Sequence, residues 1–145
     1  VRILTFPAAT VAAVQGHAFG AGAMLALAHD FRVMRADRGF WCLPEVQLNM
    51  PFTVGMSALV RSRLPIQTAV EAITTGRRFG GTDALASGIV EQTVVGDAVL
   101  AAAVERAAAL TGTRGKNLAT IKRGLHAPLI AALEVRTDAS NFVLG

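Results

Sequence analysis

The 145-residue sequence has one cysteine (Cys42), no tyrosine and only 6% aromatic residues. A single thiol excludes an internal disulfide and fits a reducing compartment; its ordinary role is that of a small buried hydrophobe. So few aromatics leave no stacking platform for single-stranded nucleic acid. Lysine is also scarce: twelve of the 14 basic residues are arginine, and the net charge is +4. Such a balance favours anionic partners. The arginines are scattered, however (Arg32, Arg35, Arg38; Arg61, Arg63; Arg77, Arg78), and only Phe79 abuts a pair. No nucleic-acid partner is expected, and a polyphosphate ligand would need fewer charges. Uninterrupted apolar runs of membrane-spanning length, roughly 18–20 residues, are missing as well, because Gly16, His17, His29 and Asp30 break the best candidate. His17, His29 and His126 share no metal-ligand spacing with Cys42 or the acids, so no metal is expected. Internal repeats and low-complexity linkers are absent too.

What is present is apolar: 52% hydrophobic residues and a mean hydropathy of +0.47, in a length that suits one domain. This surplus is expected to meet other subunits or a further part of the same chain. The opening Val1-Arg-Ile-Leu-Thr-Phe-Pro7 has no initiator Met, basic flank or signal-like core, and reads as the end of a helix from a longer protein.

The densest information lies in Val11 to Ala28. An apolar β-prone run, Val11 to Val14, meets Gly16, then the small-residue turn Gly20-Ala21-Gly22, then the helix formers Ala23 to Ala28. This is strand, tight turn, helix, with a helix N-terminus bare of bulky side chains. The first helical amides have no internal acceptor and sit at the positive end of the helix dipole, so the turn can hold a phosphate or an oxyanion. The plainer reading is close helix-on-strand packing, and Gly-x-Gly alone does not separate the two.

Farther on, Phe31 to Arg35 alternates apolar and charged residues and predicts a strand with one buried face. Arg38-Gly39 predicts a turn, with Arg35, Asp37 and Arg38 solvated; Phe40 to Cys42 predicts a short strand. Asp30 is expected to bond backbone where helix passes to strand. Pro51 and Thr53 open a helix through about Arg63, with Met56, Leu59 and Val60 on one face. Pro65 opens a second, Ile66 to Thr75, ended by Gly76. Gly80 to Val90 predicts a short helix capped by Thr82 and stopped at Gly88, then a strand through Val95. Asp97 caps a long Ala-rich helix ending near Gly112. Lys116–Leu125 and Pro128 to about Ser140 predict two more.

In Gly39 to Pro51 a lone acid, Glu45, sits within an apolar run. With Val11–Ala28 and the later block Gly76-Arg-Arg-Phe-Gly-Gly-Thr-Asp-Ala-Leu-Ala-Ser-Gly-Ile-Val-Glu-Gln-Thr-Val94, this sequence resembles the second half of the crotonase superfamily, the enoyl-CoA hydratases and isomerases. The resemblance runs from about Val1 to Val143. It implies an α/β fold: the second half of a crotonase-like ββα spiral (residues 1–95), then a helical C-terminal region (96–145), together part of one domain. It also implies an intracellular enzyme, cytoplasmic in a bacterium and otherwise peroxisomal or mitochondrial, assembled as a trimer or hexamer. Its substrate would be an acyl-CoA thioester in fatty acid β-oxidation, and no separate cofactor is implied, because coenzyme A is part of the substrate. The other oxyanion amide, and much of the adenine and pantetheine surface, are expected upstream of Val1.

Carried onto this sequence, the resemblance gives Glu45 the acid/base role and the backbone amide of Ala21 the oxyanion role. Gly20, Gly22, Met24, His17 and Phe19 become substrate-binding candidates. Relatives that add water use two glutamates, since one group activates the nucleophile and another handles the α-proton. The first of these falls on Met24, which carries no proton. One carboxylate suffices to move a proton from C2 to C4 of a 3-enoyl thioester, and Glu45-Val46-Gln47-Leu48 looks like the Glu-x-Gln-Leu element of the Δ3,Δ2-enoyl-CoA isomerases. Leu43, Val46, Leu48, Met50 and Met24 are expected to form an apolar pocket that raises the Glu45 pKa. Three alternatives stay open: a hydratase; a dinucleotide-binding fold on Gly20-x-Gly22, whose third glycine would fall on Leu25; and a non-catalytic acyl-CoA-binding relative, against which a buried unused carboxylate speaks.

Overall fold

The computed structural model describes residues 1–138. Two successive β-β-α units build its first half: β1 (Val11–Val14), β2 (Ala18–Phe19) and α1 (Ala21–Leu27), then β3 (Phe31–Arg35), β4 (Trp41–Cys42) and α2 (Val54–Arg63). Equivalent strands of the two units pair in parallel, Val11 opposite Phe31 and Ala18 opposite Trp41. Each turn of chain thus lays one strand beside its predecessor in each of two small sheets, which is the expected ββα spiral. α3 (Ile66–Thr75) and α4 (Gly81–Ala86) follow, then β5 (Gln92–Val94), which pairs in parallel with β3. The helical region comprises α5 (Ala98–Ala108), α6 (Lys116–Leu125) and α7 (Ala127–Glu134).

The main core gathers between the sheets and helices α1 to α4, around the fully buried Trp41, Phe79, Leu43, Leu27, Met34 and Ile89. Trp41 stacks edge-on against Phe79 and donates its indole N–H to the Ala23 carbonyl at 3.2 Å, so its one polar atom is satisfied inside the core. A smaller cluster, Val33, Val99 and Ala103, packs α5 onto the other face of the larger sheet.

That second layer corrects the reading of β3. Its alternation predicts one solvated face, yet Arg32, Val33 and Met34 are all buried. β3 is the central strand, covered on both sides, and Arg32 tolerates this by pairing with Glu91 and donating to the carbonyls of Ile89 (2.6 Å) and His29 (3.1 Å). Asp30 behaves as expected and does more. It accepts from the Thr10 amide (2.8 Å) and hydroxyl (2.9 Å), and also from Lys122 Nζ (2.7 Å), tying α6 to the spiral.

Several boundaries differ. α1 starts at Ala21, so Gly20 is its cap and Ala21-Gly22 its first turn rather than a hinge ahead of it. Thr53 caps α2 as expected, its hydroxyl accepting from the Met56 amide at 3.2 Å. Thr82 lies inside α4 and does not cap it. Asp97 flanks α5 without a capping bond; its carboxylate faces Arg35 at 3.6 Å instead. α5 stops at Ala108, followed by a 3-10 turn at Thr111–Thr113. α7 ends at Glu134, and the expected extension to Ser140 reaches beyond the described residues. Val1–Pro7 forms one helix-like turn, the Thr5 amide donating to the Val1 carbonyl at 3.1 Å. Among the described residues, no helix is long and apolar enough to cross a membrane.

Candidate active site

Glu45 is placed by backbone. β4 ends at Cys42, Leu43 is fully buried, and Pro44 leads into a 3-10 turn, Glu45–Leu48. The Gln47 and Leu48 amides donate to the Pro44 carbonyl at 2.9 and 3.1 Å, and Asn49, in left-handed conformation, ends the turn. Glu45 is only 5% exposed, and its side-chain Oε2 has no hydrogen-bond partner among the described residues. A buried carboxylate oxygen left unsatisfied is costly, and such atoms concentrate where a ligand or proton is to be handled.

Gly20 brings the start of α1 to this carboxylate. Its amide donates to the Cys42 carbonyl at 3.0 Å, locking the end of β2 to the end of β4. Its φ of +51° favours glycine, and a Cβ there would lie a tight 3.2 Å from Glu45 Oε1. The amides of Ala21 and Gly22 follow at once, without intrahelical acceptors, at the positive end of α1.

Glu45 and Ala21 line one cavity of about 490 Å³. Along one wall run Ala21, Met24, Leu25 and Ala28 of the α1 segment, at i, i+3, i+4 and i+7. Met50, Met56, Leu59 and Leu133 close other sides, and Glu45 is the sole carboxylate among the described lining residues. A smaller cavity of about 280 Å³, with Val46 and Ile73, shares Glu45, Met50 and Pro51.

Of the residues expected around Glu45, Met24 and Met50 line its larger cavity. Val46 lines only the smaller one, Leu43 belongs to the core, and Leu48 is 60% exposed. The 3-10 turn is the reason: its tight winding throws consecutive side chains outward, where an extended run would have buried alternate ones. The substrate-binding candidates also divide. Gly20 stands against Glu45. His17 and Gly22 line a different cavity, about 340 Å³, across α1 and along β1. Phe19 lines neither: it is exposed, 5.0 Å from the His17 ring and under the Arg78 guanidinium at 5.5 Å. Met56 and Leu59 join the wall unannounced, although the apolar face of α2 that carries them is legible in sequence. Leu133 carries no such signal. Burial pushes the Cys42 thiol pKa up, and its Sγ donates to the Gly76 carbonyl at 3.2 Å, so it packs and bonds rather than reacts. Among the described residues, no His, Cys, Asp or Glu cluster could hold a metal ion.

A twice-wound parallel spiral with a buried acid beside the first turn of α1 is the arrangement of the crotonase fold. The profile of the enoyl-CoA hydratase/isomerase family matches residues 1–143, and the chain belongs to that family. It is 34% identical over 145 residues to enoyl-CoA delta isomerase 2, peroxisomal, of Arabidopsis thaliana, covering 95% of this chain and 60% of that protein. It is 39% identical over 108 residues to the human enoyl-CoA hydratase domain-containing protein 2, mitochondrial, covering 74% of this chain and 37% of that one. A crystal structure of a probable enoyl-CoA hydratase from Mycobacterium tuberculosis superposes with a TM-score of 0.84 at 27% identity, over 91% of this chain and 56% of that one. Human mitochondrial delta3-delta2-enoyl-CoA isomerase shares the fold, with a TM-score of 0.84 at 22% identity over 91% of this chain and 52% of that one. The chain spans about 60% of the length of the isomerase relatives it matches.

Proposed function

We propose that this chain carries the acid/base half of an enoyl-CoA isomerase, shifting a 3-enoyl thioester to the conjugated 2-enoyl isomer. The observation that carries the reading is Glu45: a buried carboxylate with one oxygen unpartnered and, among the described residues, the sole acid on an apolar cavity that the first turn of α1 also lines. In this reading Glu45 removes a proton from C2. The C–H electron pair forms the C1–C2 double bond of a dienolate as the carbonyl π pair moves onto the thioester oxygen, where negative charge collects. The C2–C3 double bond forms only when C4 takes up the proton and the oxygen's pair re-forms the carbonyl. The amide of Ala21 stabilises that oxygen, because an N–H preorganised in a dry site acts most strongly where charge develops. Protonation at C4 by the same carboxyl group returns Glu45 to its starting state. One acid, used twice, balances the reaction, and no metal or separate cofactor enters it.

Hydration is the rival reading. It needs a second group to orient water, and the cavity wall offers Met24 at the second turn of α1, a thioether with no proton to give. The names of the isomerase relatives point the same way. Product analysis tests the assignment. A 3-enoyl-CoA should yield the 2-enoyl isomer, while a 2-enoyl-CoA should take up water poorly. Rapid hydration of the 2-enoyl substrate would replace isomerase by hydratase.

A further inference from the structure

Among the described residues, no hydrogen bond aims Glu45 Oε2, and the other residues described along the larger cavity are apolar. Its direction must therefore come from the backbone that carries it. That backbone is gripped at two points by one feature, the C-terminal end of α3. Ahead of Glu45, Cys42 Sγ donates to the Gly76 carbonyl. Behind it, Gln47 Nε2 donates to the Thr75 carbonyl at 2.9 Å and reaches the Gly76 carbonyl at 3.4 Å. The last carbonyls of a helix lack intrahelical donors and sit at the negative end of its dipole, so they hold a neutral or cationic donor firmly. Gly76 is shaped for the contact. It caps α3 with φ +62°, and a Cβ there would come within 2.8 Å of Gln47 Cδ and Nε2.

We propose that Gln47 is a positioning residue, a latch that fixes the 3-10 turn to α3 and thereby aims Glu45 into the cavity; this rests on the isomerase reading above. Gln47 touches no substrate in this scheme and acts only by donating to two carbonyls. The latch requires a donor at position 47, not merely a side chain of glutamine's shape.

That requirement separates it from simple packing. Gln47→Ala and the nearly isosteric Gln47→Glu, which presents acceptors to acceptors, should each lower kcat for a 3-enoyl-CoA by about tenfold to a hundredfold, since small misplacements of a catalytic group are costly. KM and the affinity for a saturated acyl-CoA should stay within about twofold, because the cavity wall is untouched. Gln47→Lys, whose ammonium can reach the same carbonyls, should restore most of the rate. Residue 47 is exposed, and circular dichroism would establish that each variant is folded. Equal rates for Gln, Ala and Glu in an active enzyme would overturn the latch alone. So would a Glu variant as fast as Gln beside a slow Lys variant. An unaltered enzyme that leaves 3-enoyl-CoA unconverted would overturn the isomerase reading, and the latch with it.

Discussion

At the scale of single residues, the chemistry turns on which side chains share the larger cavity. Glu45 was legible in sequence as a lone acid in an apolar run, and the structure buries it as that context implies. Its surroundings were less legible. The residues flanking Glu45 in sequence are expected to wall it in, yet Met56 and Leu59 come from the following helix, α2, and Leu133 from distant α7. Local sequence reports what a residue is, whereas a cavity wall is assembled by packing of distant elements. Met24 is the informative exception, because its position one turn into α1 follows from helical spacing alone. Met24→Glu would place a second carboxylate on that wall; hydration of a 2-enoyl-CoA should rise from its low level, read as 3-hydroxyacyl-CoA formed. Ala21 gives a complementary test. Ala21→Gly keeps the amide and should be tolerated, whereas Ala21→Pro removes it. The Pro variant, once shown to be folded, should lose about 2.7–4 kcal/mol of transition-state stabilisation, the usual worth of an oxyanion donor.

At the scale of elements, the strong signals survived and the weak ones moved. Strand β1, helices α2, α3 and α6, and the caps at Thr53 and Gly76 stand where periodicity and capping chemistry put them. Two-residue β2 carried no periodic signal, and exists because Ala18 and Gly20 donate to the carbonyls of Phe40 and Cys42. β3 misled for a different reason. Alternating charge implies a solvated face, but a central strand pairs its arginine instead, Arg32 with Glu91. Thr82 sits two residues too late to cap, since Gly80 already holds the cap position. The cap that did hold offers a calibrated check: Thr53→Ala should destabilise the fold by about 1 kcal/mol, measured by urea denaturation, with m unchanged.

At the scale of the whole molecule, the helical region is anchored to the spiral by charge as well as by packing. Lys122, nearly buried, binds Asp30 and reaches the Ala8 carbonyl at 3.3 Å. Lys122→Met should cost up to about 3 kcal/mol, because it leaves the largely buried Asp30 without its cation. His126 lies at the junction of α6 and α7, where burial and the nearby Arg63 push its pKa below the ordinary value, outweighing Asp30. A histidine whose folded pKa is lowered favours folding while neutral. That contribution is complete above the unfolded value of about 6.5 and is lost as pH falls below it toward the folded value. The melting temperature should therefore drop on acidification below about pH 6.5, and His126→Gln should flatten the drop. The apolar surplus also has a visible place: Leu100 and Val104 on α5, with Ile121 and Leu125 on α6, are more than half exposed. These faces suit contact with further protein, and we expect the complete enzyme to sediment as a trimer or hexamer rather than a monomer.

The proposed isomerisation stands on Glu45 as the proton carrier. The most direct test is turnover of a 3-enoyl-CoA by Glu45→Gln, with acyl-CoA affinity measured on the same preparation. The substitution keeps the size and shape of the side chain while removing the base. Turnover should fall by about two orders of magnitude or more, with affinity nearly unchanged. A Gln variant that binds normally and isomerises at the unaltered rate would contradict the account, because the proton would then be carried by another group.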